Sequence, residues 1–337
     1  LTRFTLVTLG ICALLAAAML WGGVWPALAL AYMTVFAFFM DKISALAQVD
    51  HPGQEFPSGN ALSVTLGLLH FPLLYGGIAA LTSSDTLTAT NKILLFITLS
   101  LFLGQVSNSN AHELIHRSPR ALRRLGMAVY SAVLFGHHAS AHVRVHHVHA
   151  ATDRDPNSAR MGESYYAYAP RAWIGALREG FRAENRLRKG HGLHPYLWYG
   201  LGALTSLAIA YAIGQTEGAL WLLGLSAYAQ AQLLLSDYVQ HYGLRRSETD
   251  GRTEPVGPQH SWNAPQGFTS ALMLNAPRHS DHHAHPARPY PGLDLDRQAM
   301  PILPHSLPMM AVIALVPPLW RRIMDKRARK WATSRAV

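Results

Sequence analysis

The chain has 337 residues, half of them hydrophobic and only 14% charged, against about 25% in a soluble domain. That balance excludes an ordinary pair of soluble domains and points to an all-α, polytopic membrane protein. The net charge is +10, and the single cysteine, Cys12, excludes an intrachain disulfide and any cysteine-bound zinc or iron–sulfur site.

Six apolar runs follow in chain order, at residues 5–24, 25–40, 61–81, 92–111, 196–213 and 218–237, and each is read as a membrane span. The sequence opens at Leu1 rather than Met. Its first run exceeds the apolar core of a leader peptide, so it is expected to remain as a helix. A Gly-Gly-Val-Trp-Pro turn joins it to the second run as a tight hairpin. Residues 43–60 read as a polar loop with Pro52 and Pro57, and residues 82–91 as another. The apolar piece 127–136 is too short to span and is expected to be re-entrant or interfacial. Residues 307–320 hold Pro308, Pro317 and Pro318, which favours an interfacial helix. The whole chain, 1–337, reads as one integral-membrane domain with large polar regions at 112–195 and 238–337.

Charge orients these runs. Of the 29 Lys and Arg residues, only Lys92 falls on the side read as external. The positive-inside rule then places both termini and both polar regions in the cytoplasm. The excess positive charge meets anionic lipid headgroups and offers a docking face for an acidic electron carrier. The basic residues flank the membrane and no recognition motif accompanies them, which argues against nucleic acid.

Nineteen histidines against one cysteine direct attention to imidazole, the commonest metal ligand in proteins. Four boxes carry them on the cytoplasmic side. HELIHR places His112 and His116 four residues apart. HVRVHH holds His142, His146 and His147; on an α-helix His142 and His146 share a face, with His147 about 100° round from His146. DYVQHYGL carries His241, and HSDHHAHP carries His279, His282 and His283. The fourth and sixth runs point the same way and deliver His112 and His241 to nearly one depth. Nine imidazoles exceed one ion and suit two, with four or five nitrogens each. Ligand type alone is compatible with zinc, copper, iron or nickel.

Glu113, Asp237 and Asp281 are candidates to hydrogen-bond ligand imidazoles. His137 and His138 become ligands only if the second box folds differently, and His149 and His285 extend their boxes as supporting or solvated residues. His51, His70, His191, His194, His260 and His305 have no ligand spacing. A zinc protease also carries HExxH, but one zinc needs three protein ligands and would leave six histidines unused. A metal transporter or sensor would place polar groups near mid-membrane, where the spans offer almost none besides His70.

Together HELIHR, HVRVHH, DYVQHYGL and RHSDHHAHP resemble the integral-membrane alkane 1-monooxygenases. Those belong with the xylene monooxygenase hydroxylase subunits in the wider membrane fatty-acid desaturase and hydroxylase group. The stretches HHVHAATDRDPNSARMGESYYAYAPR and HSWNAPQGFTSALMLNAPRHSDHHAHP extend the likeness over roughly residues 105–293. The resemblance implies two non-haem iron ions bound by His112, His116, His142, His146, His147, His241, His279, His282 and His283. It also implies O2 as co-substrate, a hydrocarbon substrate, and electrons from a separate rubredoxin or ferredoxin-type carrier with an NAD(P)H-dependent reductase. The location it implies is a bacterial inner membrane. A fatty-acyl desaturase or hydroxylase and an alkyl-aromatic monooxygenase are the alternatives within the group.

The sequence departs from that family pattern in three boxes. Ala141-His142-Val143 stands where Glu-His-Asn is usual, Asp237 and Gln240 replace an Asn and a Glu, and Ala276-Pro277-Arg278 replaces Leu-Gln-Arg. The ligands survive, while the groups that would orient them differ. A hydrocarbon can enter such a centre directly from the bilayer. The expected channel lies between the first four helices, with Trp21, Trp25, Phe36, Phe38 or Phe39 limiting its depth.

Overall fold

The computed structural model describes residues 2–47 and 60–334. The loop expected at 43–60, and His51 with it, lies largely outside the described residues.

Helix α1 (Thr2–Trp21) turns sharply into α2 (Trp25–Ala31). Gly22 and Gly23 make that turn with φ of 59° and 58°, a region open to glycine. A Cβ on Gly22 would come within 2.8 Å of the Thr86 carbonyl, so the turn is also sterically closed to larger residues. Helix α2 continues through a π-helical turn, Tyr32–Phe36, into α3 (Ala37–Ala47). Helix α4 (Asn60–Ser83) returns, and α5 (Ala89–Phe102) runs through a second π turn, Leu103–Ser107, into α6 (Asn108–Ile115). The Thr88 hydroxyl caps α5 by accepting from the Asn91 N–H at 3.2 Å.

The following segments build the polar half. They are α7 (Arg120–Ala132), α8 (His138–Ala141), a third π turn (His142–His146), α9 (His147–His149) and α10 (Tyr165–Arg188). The piece expected at 127–136 is the second half of α7 and the turn after it, where Leu134 takes φ of 58°.

Helix α11 (Pro195–His241) contains both of the last two apolar runs. Its backbone breaks at Gly214 and Gln215, and the two arms fold against each other: a Cβ on Gly218 would lie 2.2 Å from the Ala210 carbonyl oxygen. Among the described residues, five helices are thus long and apolar enough to cross a membrane, at Thr2–Trp21, Trp25–Ile43, Asn60–Ser83, Ala89–Ile115 and Pro195–His241. The expected runs 196–213 and 218–237 are the two arms of the fifth.

After α11 come a two-residue ribbon (β1, Glu248–Thr249; β2, Arg252–Thr253), α12 (Gly267–Leu272) and α13 (His279–Ala284). The segment expected to be one interfacial helix is two, α14 (Leu307–Ala314) and α15 (Pro317–Ser334). The apolar core runs from α1 through α5 to the second arm of α11. A second core gathers Tyr168, Tyr238, Tyr242, Trp262 and Trp320 and seats α15 against the end of α11.

Candidate metal centre

Each expected histidine is carried by a defined element. His112 lies in the last turn of α6 and His116 caps its end. His241 is the last residue of α11. His279, His282 and His283 lie on α13. His142, His146 and His147 lie on the third π turn and its exit.

These nine residues divide into two groups. His112, His116, His142, His147 and His282 bring ligand nitrogens within 4.8 Å of one another, and His146, His241, His279 and His283 do the same. Among the described residues no carboxylate or thiol joins either group. The groups abut, since the His147 and His283 rings stack at 4.5 Å.

The second box departs from the α-helical expectation. His142 and His146, four residues apart, belong to different groups, whereas His142 and His147 belong to the same one. The backbone gives the reason. The His147 N–H bonds the His142 carbonyl, an i→i+5 bond that widens the turn by one residue and moves the shared face from i+4 to i+5.

The nitrogens converge in a way hydrogen bonding does not explain. His142 Nε2 lies 2.7 Å from His112 Nε2 and 2.9 Å from His147 Nε2. His147 Nε2 is 3.0 Å from His282 Nε2, and His279 Nε2 is 3.0 Å from His241 and 3.1 Å from His283. A neutral ring nitrogen carries one hydrogen or one lone pair, so it cannot make two such bonds at once. Ligands about 2 Å from a shared ion, at right angles, sit about 3 Å apart. The buried Nε2 atoms of His116 and His146 have no hydrogen-bond partner at all. Both groups therefore fit a bound cation. Burial also keeps the rings neutral: it pulls His116 down to about 3 and holds His142, His147, His279, His282 and His283 well below the usual histidine range.

A family model described as fatty acid desaturase matches residues 91–332. Alkane 1-monooxygenase 2 of Pseudomonas aeruginosa is 36% identical over 70% of this chain and 64% of its own length. An alkane 1-monooxygenase of Pseudomonas putida is 32% identical over 79% of this chain and 68% of its own. The xylene/toluene monooxygenase hydroxylase component of the same species is 27% identical over 66% of this chain and 60% of its own. The chain belongs to the alkane 1-monooxygenase family. It does so within the fatty acid desaturase group, and it spans less than two thirds of the first of these relatives.

The groups that orient the histidines of this family member differ from the expected set. His146 Nδ1 lies 2.8 Å from Asp155 Oδ2. Burial alone would lower His146, but the charge and hydrogen bond of Asp155 outweigh it and hold the ring above its ordinary range. Asp155 is itself fixed by the Ser158 hydroxyl at 2.7 Å and the Asn157 N–H at 3.0 Å. It was not among the residues singled out from the sequence, although TDRDPNS carried a signal. An Asp two residues before an Asn, in a loop just past a histidine box, is a carboxylate locked by its own turn.

Glu113 pairs instead with Arg117 at 2.7 Å and accepts from the Tyr290 N–H at 3.3 Å. Asp237 accepts from Asn157 Nδ2 at 2.7 Å, which joins α11 to the Asp155 loop. Asp281 binds His285 Nδ1 at 2.9 Å and Arg288 at 2.7 Å. Gln240, the departure before His241, donates to the Ala276 carbonyl at 3.0 Å and ties α11 to the approach to α13. Asn263 completes that clamp, donating to the Ser280 hydroxyl at 2.7 Å and accepting from the Ser280 N–H at 2.9 Å.

None of the remaining described histidines joins either group, although the His138 ring lies 5.2 Å from that of His142. His138 stacks on Phe135 at 5.0 Å, and His137 packs edge-on to Trp173. His70 bonds the Ser107 hydroxyl at 2.6 Å, and His260 bonds Glu254 at 2.7 Å. His194 Nδ1 accepts from the Tyr196 N–H at 3.3 Å, capping α11. His149 is partly buried, and His191, His285 and His305 are exposed.

A cavity of about 600 Å³ reaches His112 and His142 of one group and His279 of the other. Its walls come from α3, the π turn before α6, the second arm of α11, α12 and α14. That differs from a channel between the first four helices: α14, which opens at Pro308 and is unassigned to a wall by sequence, closes one side. Phe38 and Phe39 line it, while Trp21, Trp25 and Phe36 do not. Phe36 is taken up by packing on Phe268 at 5.4 Å.

Proposed function

We propose that this chain is the hydroxylase of an O2-dependent alkane monooxygenase, acting at the end of the hydrocarbon and using two non-haem iron ions. The observation that carries this reading is the meeting of nine imidazoles, six buried and three partly buried, in groups of five and four, with a cavity walled largely by apolar side chains. His112, His116, His142, His147 and His282 would hold one ion, and His146, His241, His279 and His283 the other. Bound there, the ions supply O2 activation, with one oxygen atom entering the C–H bond and the other leaving as water at the cost of two electrons and two protons.

The protein contributes placement. Asp155 fixes the His146 ring so that Nε2 faces inward. Gln240 and Asn263 hold α13 in register with the end of α11. Phe38, Phe39 and the α14 side chains keep water from the substrate and expose their outer faces to hydrocarbon. The electrons come from a separate rubredoxin or ferredoxin-type carrier and its NAD(P)H reductase. The carrier docks on the basic cytoplasmic face of a bacterial inner-membrane protein whose termini are both cytoplasmic.

The test is product analysis in whole cells that supply a rubredoxin and its reductase. Octane, hexadecane, p-xylene and a fatty acid are fed under isotopically labelled O2. A labelled terminal alcohol from an alkane, absent in His146→Ala, is the expected result. An unlabelled product with a new double bond would instead assign a desaturase, and a labelled benzylic alcohol as the main product an alkyl-aromatic hydroxylase.

A further inference from the structure

A metal ligand is usually held through its second ring nitrogen. His146 has Asp155 behind its Nδ1. In the five-imidazole group, the Nδ1 atoms of His142 and His147 are buried and have no hydrogen-bond partner. No hydrogen bond therefore holds those two rings from behind. Their placement depends on the backbone of the π turn that carries them, and so on whatever fixes the start of that turn.

Helix α10 clamps that start. A Cβ on Gly180 would fall 3.2 Å from both Cα and Cβ of Ala141, the last residue of α8, so the two helices touch there. Ala141 is one of the departures from the family pattern, and its small side chain leaves α10 room. About one turn after Gly180, α10 presents Glu184, which is only 7% exposed. Glu184 Oε1 accepts from the Ser140 hydroxyl at 2.8 Å, and Ser140 accepts in turn from the Tyr199 hydroxyl at 2.7 Å. A buried carboxylate is costly to desolvate unless it is bonded and paired. Arg188 lies 3.4 Å from Oε2, and Arg144, on the π turn itself, lies 3.9 Å from Oε1. One carboxylate thus engages residues on both sides of His142.

We infer that Glu184 is a positioning residue for the five-imidazole group, fixing the entry of the π turn through Ser140 and with it the His142 and His147 rings. A hydrogen bond to an ionised acceptor is stronger than one between neutral groups, and this one acts on α8 within a turn of His142. Glu184 belongs to neither histidine group and does not line the cavity. It therefore acts only through the segment it holds. This inference rests on the two-ion part of the hydroxylase reading and not on the substrate.

The experiment follows release of iron(II) to a chelator from the full chain in lipid nanodiscs, without O2 and without turnover. Glu184→Ala should weaken one ion about tenfold and leave the other unchanged. The weakened ion should be the one that Asp155→Ala spares. Glu184→Gln keeps an acceptor for Ser140 and should restore most of the loss. Ser140→Ala removes the donor and should match Glu184→Ala, and the double variant should be no weaker than either alone, as for two halves of one contact. Ser140→Ala also gives the reading if Glu184→Ala does not fold. Natural affinity for both ions in whichever of these variants folds overturns the inference. So does equal weakening of both ions, weakening of the ion that Asp155→Ala weakens, or a Gln variant as weak as the Ala variant. A natural protein that holds a single ion removes the two-ion reading, and this inference with it.

Discussion

His142 and His147 are five residues apart, and their Nε2 atoms meet at 2.9 Å. An α-helix pairs residues three or four apart, so this contact exists because one i→i+5 turn is built into the second box. His146 is thereby released to the other group. Inserting an alanine after Arg144 would set His142 and His147 six apart, a spacing that neither an α nor a π turn brings onto one face. Iron per chain should fall from two to one or fewer, while the helix content by circular dichroism is kept. Two irons per chain in a folded insertion variant would show that the spacing of the second box does not sort the ligands.

Asp155 is expected to set the affinity of the four-imidazole group. Asp155→Ala removes the acceptor of the His146 ring N–H. Loss of such a partner weakens a metal site by about 10- to 100-fold. Competition with a chelator should release one ion much earlier than in the natural protein and leave the second unchanged. Equal release of both ions would point to a general loosening of the fold.

The two groups should also respond differently to acid. In the five-imidazole group burial pulls His116 down to about 3 and holds His142, His147 and His282 well below the usual histidine range, so protons do not compete for these four near neutrality. His146 is held above its ordinary range by Asp155, so the metal-free second group carries a proton there that binding must displace. Its metal affinity is highest above the raised value and falls about tenfold per unit as the pH drops below it. Dialysis at stepped pH from 8 to 5 should pass through a form with one iron. Simultaneous loss of both ions would contradict the assignment.

Asp41 ties the N-terminal hairpin to the segment ahead of the fourth box. Its carboxylate accepts from the Thr269 N–H at 2.8 Å and from the Thr269 hydroxyl, capping α12 from a distant element. Asp41→Ala strands that buried N–H and should destabilise the protein by about 2 kcal/mol. Thermal unfolding in detergent should show the loss, with Thr269→Val less affected because it keeps the backbone donor bonded.

Chain-length selection should follow the cavity wall. Phe38→Ala and Phe39→Ala enlarge it and should move the product profile to longer chains, while Trp21→Ala should leave the profile as it is. An equal shift from Trp21→Ala would mean that the substrate path follows α1 instead.

The sequence by itself determined the helical, membrane-embedded class, the family and the nine histidines. Apolar length and clustered imidazoles are local properties, written in consecutive residues and read without knowing who packs against whom. It could not divide the nine into five and four, because that depends on one backbone hydrogen bond between His142 and His147. It could not choose between Asp155 and the nearer-looking Glu113, whose carboxylate is claimed by Arg117 and Tyr290. Nor could it give α14 a place in the cavity wall or set Glu184 behind Ser140, 44 positions away. Those relationships are made only when distant helices pack, since packing decides which polar groups find partners.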